Sequence, residues 1–310
     1  MGGCPRPSIV PLALFLLFLS PQPLGAEISR PAEELEVEIL RTLPHNSSSF
    51  TQGLEVLGES ILESSGLYGQ SSLSEIDSQN GEVIRQISID ESLFGEGITV
   101  KGESIIMLTW RAGVALEINV SSFSIIGNFS FEGEGWGICF NGEHLIMTNG
   151  TSELSFRDPE SFEIEFIVTV TWDGEPVSNL NELECVDDIV YANVWMEDVI
   201  LGIDPTSGQV EFYVSPISIT KTQGNSTEEV LNGIAFDQSS GGFWITGKNW
   251  TEIYLVNFSD SGENLVEKPS SQFSPLFAAS GVTIVFIFLT VQLFRKKDDP
   301  ETPNFKDSPL

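Results

Sequence analysis

The sequence predicts an all-β ectodomain, a five-bladed β-propeller, framed by an N-terminal signal peptide and one C-terminal transmembrane helix. Three observations predict it. Short runs rich in Val, Ile, Phe and Ser alternate with Gly, Asn and Asp turns about every ten residues, and no long stretch has helical period. A short pattern recurs five times at steps of 44, 40, 45 and 51 residues, the length of a four-stranded blade. Both ends carry apolar runs with the flanks of an export signal and a membrane span.

Taken in chain order, residues 1–26 read as a signal peptide. Arg6 supplies the positive start, Ile9 to Leu19 the apolar run, and Leu24-Gly25-Ala26 a small-residue cleavage site. The stretch from Leu35 to Leu40 is strand-like and is expected to complete the last blade, closing the ring and hiding sheet edges. The fivefold pattern follows: a polar or aromatic residue, usually Gly, then Leu or Ile. It appears as Gln52-Gly53-Leu54, Glu96-Gly97-Ile98, Trp136-Gly137-Ile138, Asn181-Glu182-Leu183 and Asn232-Gly233-Ile234. Fourteen residues after the first four anchors stand Gly66, Trp110, Gly150 and Trp195, and sixteen after the last stands Lys248. Third strands end at Asp77, Asn119, Asp158, Asp204 and Asn257, where Asp77, Asp158 and Asp204 read as turn residues.

Residues 275–294 carry no charge over a length that spans hydrocarbon, and Arg295, Lys296 and Lys297 follow at once. The propeller, 27–274, is therefore expected outside the membrane, tethered by this helix, with 295–310 as a cytoplasmic tail. The other reading of the end is a buried core helix, and of the propeller an open sandwich.

Composition excludes several functions. The chain has 45 acids against 14 bases, a formal charge of -31. The tail holds four of each and the signal one base, which leaves 27–274 with 41 acids, nine bases and -32. Such a surface repels phosphate backbones, so no nucleic-acid partner is expected. Seven Asn-x-Ser/Thr sequons, starting at Asn46, Asn119, Asn128, Asn149, Asn225, Asn249 and Asn257, permit glycosylation. Two histidines (His45, His144) and three cysteines leave little for a metal centre; no metal or cofactor is expected, the histidines read as surface residues, and the chain is expected to be a monomer. Cys139 and Cys185 lie three and four places after their anchors, so their side chains should face opposite ways and no disulfide is expected.

Innermost propeller strands line a central channel, so equivalent anchors converge at one mouth. That places Gln52, Glu96, Trp136, Asn181, Asn232, Trp110, Trp195 and Lys248 around one cavity. Phe50 and Phe94, two residues before Gln52 and Glu96, share their face by strand alternation. An aromatic box with a few convergent polar groups suits a small amphipathic ligand. Glu96 among aromatics is desolvated, which raises its pKa toward the range useful for proton transfer. Alternation turns Glu182 and Glu184 away from the site, and Asn232 is expected to satisfy backbone groups.

At these residues the chain resembles the plant and bacterial type of glutaminyl-peptide cyclotransferase (glutamine cyclotransferase). Nine stretches over about 45–258 carry the resemblance, among them Phe50-Thr51-Gln52-Gly53-Leu54, Phe94-Gly95-Glu96-Gly97-Ile98-Thr99, Glu134-Gly135-Trp136-Gly137, Tyr191-Ala192-Asn193-Val194-Trp195 and Thr246-Gly247-Lys248-Asn249-Trp250. The resemblance implies a five-bladed propeller that converts N-terminal glutaminyl residues of peptides and proteins to pyroglutamyl, releasing ammonia. It implies Phe50, Gln52, Phe94, Trp110, Trp136, Asn181 and Trp195 as substrate-binding residues. On that reading Glu96 shuttles protons and Lys248 stabilises the oxyanion. Departures lie beside the pocket: Asn46-Ser47 after His45, Met196 after Trp195, and Thr251 after Trp250. Two competing readings remain: a non-catalytic tethered propeller binding peptide N-termini or another ectodomain, and a lactonase-like hydrolase with a channel Ca²⁺.

Overall fold

A computed structural model describes residues 31–223 and 228–260. The signal peptide, the transmembrane helix, the tail and Asn225 lie outside the described residues. Among the described residues no helix is long and apolar enough to cross a membrane.

The architecture is all-β. After β1 (Glu33–Pro44) come two four-stranded antiparallel sheets. One is built from β2 (Thr51–Leu57), β3 (Ser60–Ser65), β4 (Ser72–Asp77) and β5 (Val83–Ser88). The next uses β6 (Gly95–Lys101), β7 (Ser104–Thr109), β8 (Val114–Asn119) and β9 (Ser124–Ser130). A third follows with β10 (Ile138–Phe140), β11 (Leu145–Met147), β12 (Glu153–Arg157) and β13 (Ile164–Thr169), then a short hairpin of β14 (Thr171–Trp172) and β15 (Glu175–Pro176). The remaining strands are β16 (Leu180–Val186), β17 (Ile189–Val194), β18 (Ile200–Ile203), β19 (Val210–Val214), β20 (Leu231–Asp237), β21 (Gly242–Gly247) and β22 (Glu252–Asp260), with a helix, α1 (Ile217–Gln223), between β19 and β20. They form one eight-stranded sheet, two four-stranded runs joined where β1 lies parallel to β19 over Glu33–Leu35. β1 also pairs antiparallel with β22 from Leu35 to Pro44, so the first strand completes the last run.

The turns after the third strands of the first three sheets and of the first four-stranded run have a local cause. Asp77, Asp158 and Asp204 accept a backbone N–H two residues on, and Asn119 one three residues on. Asp237 does the same in the turn after β20. The sheets then face one another through apolar side chains. Leu62, Leu73, Ile98, Ile105 and Met107 fill one such interface, and Cys139, Ile146, Leu154, Leu183 and Leu201 another. Outermost strands such as β5 and β9 are largely exposed.

The first strands close a ring: β2 packs on β6, β6 on β10, β10 on β16, β16 on β20 and β20 on β2. At least one hydrogen bond crosses each junction. Ser64 Oγ donates to Glu96 O (2.6 Å), Gly97 N to Trp136 O (2.8 Å) and Thr148 Oγ1 to Asn181 O (2.7 Å). Gly233 N donates to Asn193 Oδ1 (2.9 Å), and Asn232 Nδ2 to Thr51 O (3.0 Å). This crowding explains the recurring glycine. A Cβ at Gly97 would sit 2.7 Å from Trp136 O, and one at Gly137 1.9 Å from Asn181 O. The fourth anchor has Glu182 instead. Its carboxylate accepts Leu54 N (3.0 Å) and Ile234 N (2.9 Å), tying three first strands together.

Two expectations are corrected. Cys139 and Cys185 form a disulfide, with Cα atoms 5.5 Å apart. Counting places from the anchor failed because β16 carries a register shift between Leu180 and Leu183, which breaks the alternation before Cys185. His45 is not a surface residue: its side chain is 1% exposed, Nε2 meets Glu63 Oε1 at 2.8 Å, and Nδ1 meets Trp250 O at 2.8 Å. Thr51 Oγ1 donates to the same Glu63 oxygen (2.6 Å), so this buried pair braces the strand that carries Gln52.

Candidate active site

A cavity of ≈ 250 Å³ opens at one end of the ring. It is lined by Phe50, Gln52, Phe94, Glu96, Trp110, Trp136, Asn181, Trp195 and Lys248, together with Leu67. All nine residues singled out as catalytic or substrate-binding are therefore gathered at one place. Asn232 is not among them; its Nδ2 is held by Thr51 O and by Gln52 Oε1 (3.3 Å). Glu182 and Glu184 do not line the cavity either.

Local backbone geometry aims these side chains. β2, β6, β16 and β20 each shift register at the anchor, between Thr51 and Gly53, Gly95 and Ile98, Leu180 and Leu183, and Leu231 and Ile234. Such a bulge leaves the extra residue unpaired and re-aims it. Gln52, Glu96 and Asn181 are those residues, each 5% exposed or less. The offset positions hold walls or make room for them. A Cβ at Gly66 would lie 2.4 Å from the Phe94 ring, and one at Gly150 2.6 Å from the Trp136 ring. Glycine there lets those rings lie against the backbone.

The walls form two aromatic groups. Phe94 meets Phe50 edge-on (centroids 6.3 Å), Tyr68 (5.5 Å) and Trp110 (5.5 Å). Trp136 meets Trp195 edge-on at 5.7 Å. Lys248 Nζ stands over the Phe50 ring at 4.9 Å.

Two ionisable groups face this box. Burial pushes the Glu96 carboxyl well above its ordinary range; Lys248 opposes the shift and Glu134 adds to it. Burial pulls Lys248 down to about 8, with Glu96 opposing. The two do not touch as an ion pair, so each is free to meet a ligand. Asn181 Oδ1 is buried without a partner, an acceptor available to a donor placed in the cavity.

Sequence reasoning missed Glu134. Its Oε2 accepts from both Trp110 Nε1 (2.8 Å) and Trp136 Nε1 (3.0 Å), and its Oε1 from Arg111 Nε (2.8 Å). Arg111 in turn stacks on Trp110 at 3.7 Å. Those hydrogen bonds hold the Glu134 carboxyl below its usual range despite partial burial. Its place two residues before Trp136 was the available signal.

Comparison with known proteins decides the family. The glutamine cyclotransferase family profile matches residues 12–258. This chain belongs to the glutamine cyclotransferase family. It is 31% identical over 267 residues to a glutaminyl-peptide cyclotransferase of Arabidopsis thaliana, covering 82% of this chain and 83% of that one. The crystal structure of Myxococcus xanthus glutaminyl cyclase superposes with a TM-score of 0.69 at 30% identity, over 74% of this chain and 99% of that one. For a member of this family, an aromatic box holding one desolvated carboxyl and one depressed lysine is the place to look for chemistry.

Proposed function

We propose that this chain is a glutaminyl-peptide cyclotransferase, converting N-terminal glutaminyl residues of peptides and proteins to pyroglutamyl with release of ammonia. The supporting observation is Glu96, buried in the lining of a ≈ 250 Å³ aromatic cavity that Lys248 also lines. Such a cavity fits one curled glutaminyl side chain.

The α-amine attacks the side-chain amide carbon, a new N–C bond forms, and the old C–N bond breaks. One proton must leave the attacking nitrogen and one must reach the departing nitrogen. Burial favours the protonated form of the Glu96 carboxyl. One carboxyl oxygen hands its proton to the leaving nitrogen while the other takes one from the amine, so the carboxyl ends as it began. An α-amine titrates at about 7.7–8.0 in water, so only about a tenth to a sixth of it is neutral and nucleophilic at pH 7, and that fraction is the one that reacts. The aromatic walls hold the reactive curl, and the Lys248 ammonium faces the developing oxyanion, with Gln52 and Asn181 supplying amide contacts.

The finer architecture belongs to the same proposal. The three four-stranded sheets and the two runs of the eight-stranded sheet are five blades of a propeller around the ring of first strands. On the sequence alone, 27–274 lies outside a membrane crossed by 275–294, as a monomer with usable sequons.

The test is direct. Purified protein is mixed with a Gln-initiated peptide in excess EDTA, and ammonia release and the peptide's mass are followed. Chelator-resistant loss of one ammonia per peptide is expected. An unchanged peptide overturns the assignment.

A further inference from the structure

We propose that a second cleft, beside Trp195, binds a lysine or arginine side chain carried by residue 2 or 3 of the substrate peptide. The proposal deepens the cyclotransferase reading and rests on it.

Topology puts the cleft on the right face. β2 leaves the pocket end of the ring and β3 returns to it; later sheets repeat this path. Connections after second and fourth strands therefore lie at the pocket end. Three of them, the hairpin segment 170–179, the turn 195–199 and the segment from Ser215, build a cleft of ≈ 580 Å³. It is larger than the pocket itself, and a cyclotransferase whose pocket holds one residue must let the rest of the peptide leave across this face.

The wall between the two is one turn thick. Glu197 N donates to Val194 O (3.0 Å), closing a four-residue turn with Met196 at φ 72°. Trp195 lines the pocket, while Glu197 and Asp198 line the cleft. Trp195 N also donates to Asn179 O (2.8 Å), and Asn179 lines the cleft. Such a turn is less than about 7 Å across, and an extended peptide advances ~3.3 Å per residue. Residue 2 or 3 of a peptide whose glutamine fills the pocket thus reaches the cleft.

Its chemistry selects a cation with an apolar stem. The floor is aromatic: Trp172 and Tyr213 lie at 4.8 Å between centroids, and the Tyr213 hydroxyl donates to Glu34 Oε2 (3.1 Å). Val177 and Val199 offer apolar wall, half-buried. Glu175, Glu197 and Asp198 are exposed on the rim, no lysine or arginine lines the cleft, and among the described residues none of the three acids forms an ion pair. Lys and Arg side chains lay their stems on such surface, stack on its rings and present charge to its rim.

The test compares amidated Gln-Ala-Ala-Ala, Gln-Lys-Ala-Ala and Gln-Ala-Lys-Ala. At low salt at least one lysine peptide is expected to exceed the alanine peptide in kcat/KM by about tenfold, a ratio that shrinks at high salt. The triple variant Glu175→Gln/Glu197→Gln/Asp198→Asn should bring that ratio close to one. A charge-matched control on the opposite end of the ring, Glu103→Gln/Glu143→Gln/Asp188→Asn, should keep it, which separates a local cleft from the overall negative field. Equal rates for the three peptides, a triple variant that retains the preference, or a control that loses it equally overturns the cleft and leaves the cyclotransferase reading standing. Ammonia from none of them overturns both.

Discussion

The indole N–H of Trp110 donates to Glu134 Oε2 at 2.8 Å, and the same oxygen receives the Trp136 indole at 3.0 Å. One carboxylate thus sets the positions of two cavity walls and places a negative charge near Glu96. Hydrogen bonds to a charged group contribute about 1.5–3 kcal/mol, so Glu134→Gln is expected to lower kcat/KM by roughly ten- to a hundredfold. Removing the charge also lowers the Glu96 pKa, so the limb of the pH–rate profile that tracks Glu96 moves to lower pH. A simple packing role would leave that limb in place.

Glu96→Gln removes the group that serves both nitrogens. The expected loss in kcat is about 10²–10⁴, the scale of general acid–base catalysis. Folding should survive, since an uncharged amide in this buried position avoids the desolvation that a carboxylate suffers. Near-full activity in a variant with unchanged melting temperature removes Glu96 from the mechanism.

Lys248 carries its charge only below about 8. Saturated turnover that depends on its ammonium should therefore fall as pH rises through that value. Lys248→Arg keeps a cation at all accessible pH, so the part of the alkaline limb set by Lys248 moves upward even where the rate drops. An alkaline limb unmoved in the arginine variant assigns it to another group.

Stability should be greater at pH 5 than at pH 8. Burial pushes Glu55 up to about 7, and raises Glu96, Glu182 and Glu184 well above their ordinary range. A carboxyl with a raised folded pKa holds its proton more tightly when folded. Its contribution is full below the unfolded value of about 4.3 and is lost as pH rises toward the folded one. His45 acts in the same direction: burial lowers its pKa, but the Glu63 carboxylate outweighs this and raises it. Melting temperatures measured from pH 5 to 8 should fall. A rise would mean these carboxyls are hydrated in solution.

The Cys139–Cys185 disulfide joins β10 to β16, first strands of adjacent sheets, and closes a loop of sequence separation 46. A cross-link of this kind contributes about 2–4 kcal/mol. The Cys139→Ser/Cys185→Ser variant is expected to melt several degrees lower and to lose the wild-type response to reductant. Equal melting with and without reductant in the wild type would show that the bond is not formed.

Much of the site was legible because its information is local and periodic. Gln52, Glu96 and Asn181 each occupy the same place beside a strand start, and equal spacing brings equal places together whatever the tertiary detail. Glu134 was not legible in this way: its role depends on two indoles from separate connections meeting one oxygen. The Cys139–Cys185 bond was misread for a related reason. The shift between Leu180 and Leu183 changes which way every later side chain in β16 faces, and nothing in its composition announces it.

The amino-acid order alone settled the β character, the turn at each Asp, the strand at Leu35 to Leu40 and the identity of the nine residues that share a cavity. Only the folded chain decided what lies between strands far apart in sequence: Glu182 in place of a glycine at the ring junction, Glu134 under the tryptophans, and a buried His45. Local propensity acts over a few residues and leaves its mark in their types, whereas desolvation and hydrogen-bond geometry depend on neighbours that close packing of the ring supplies.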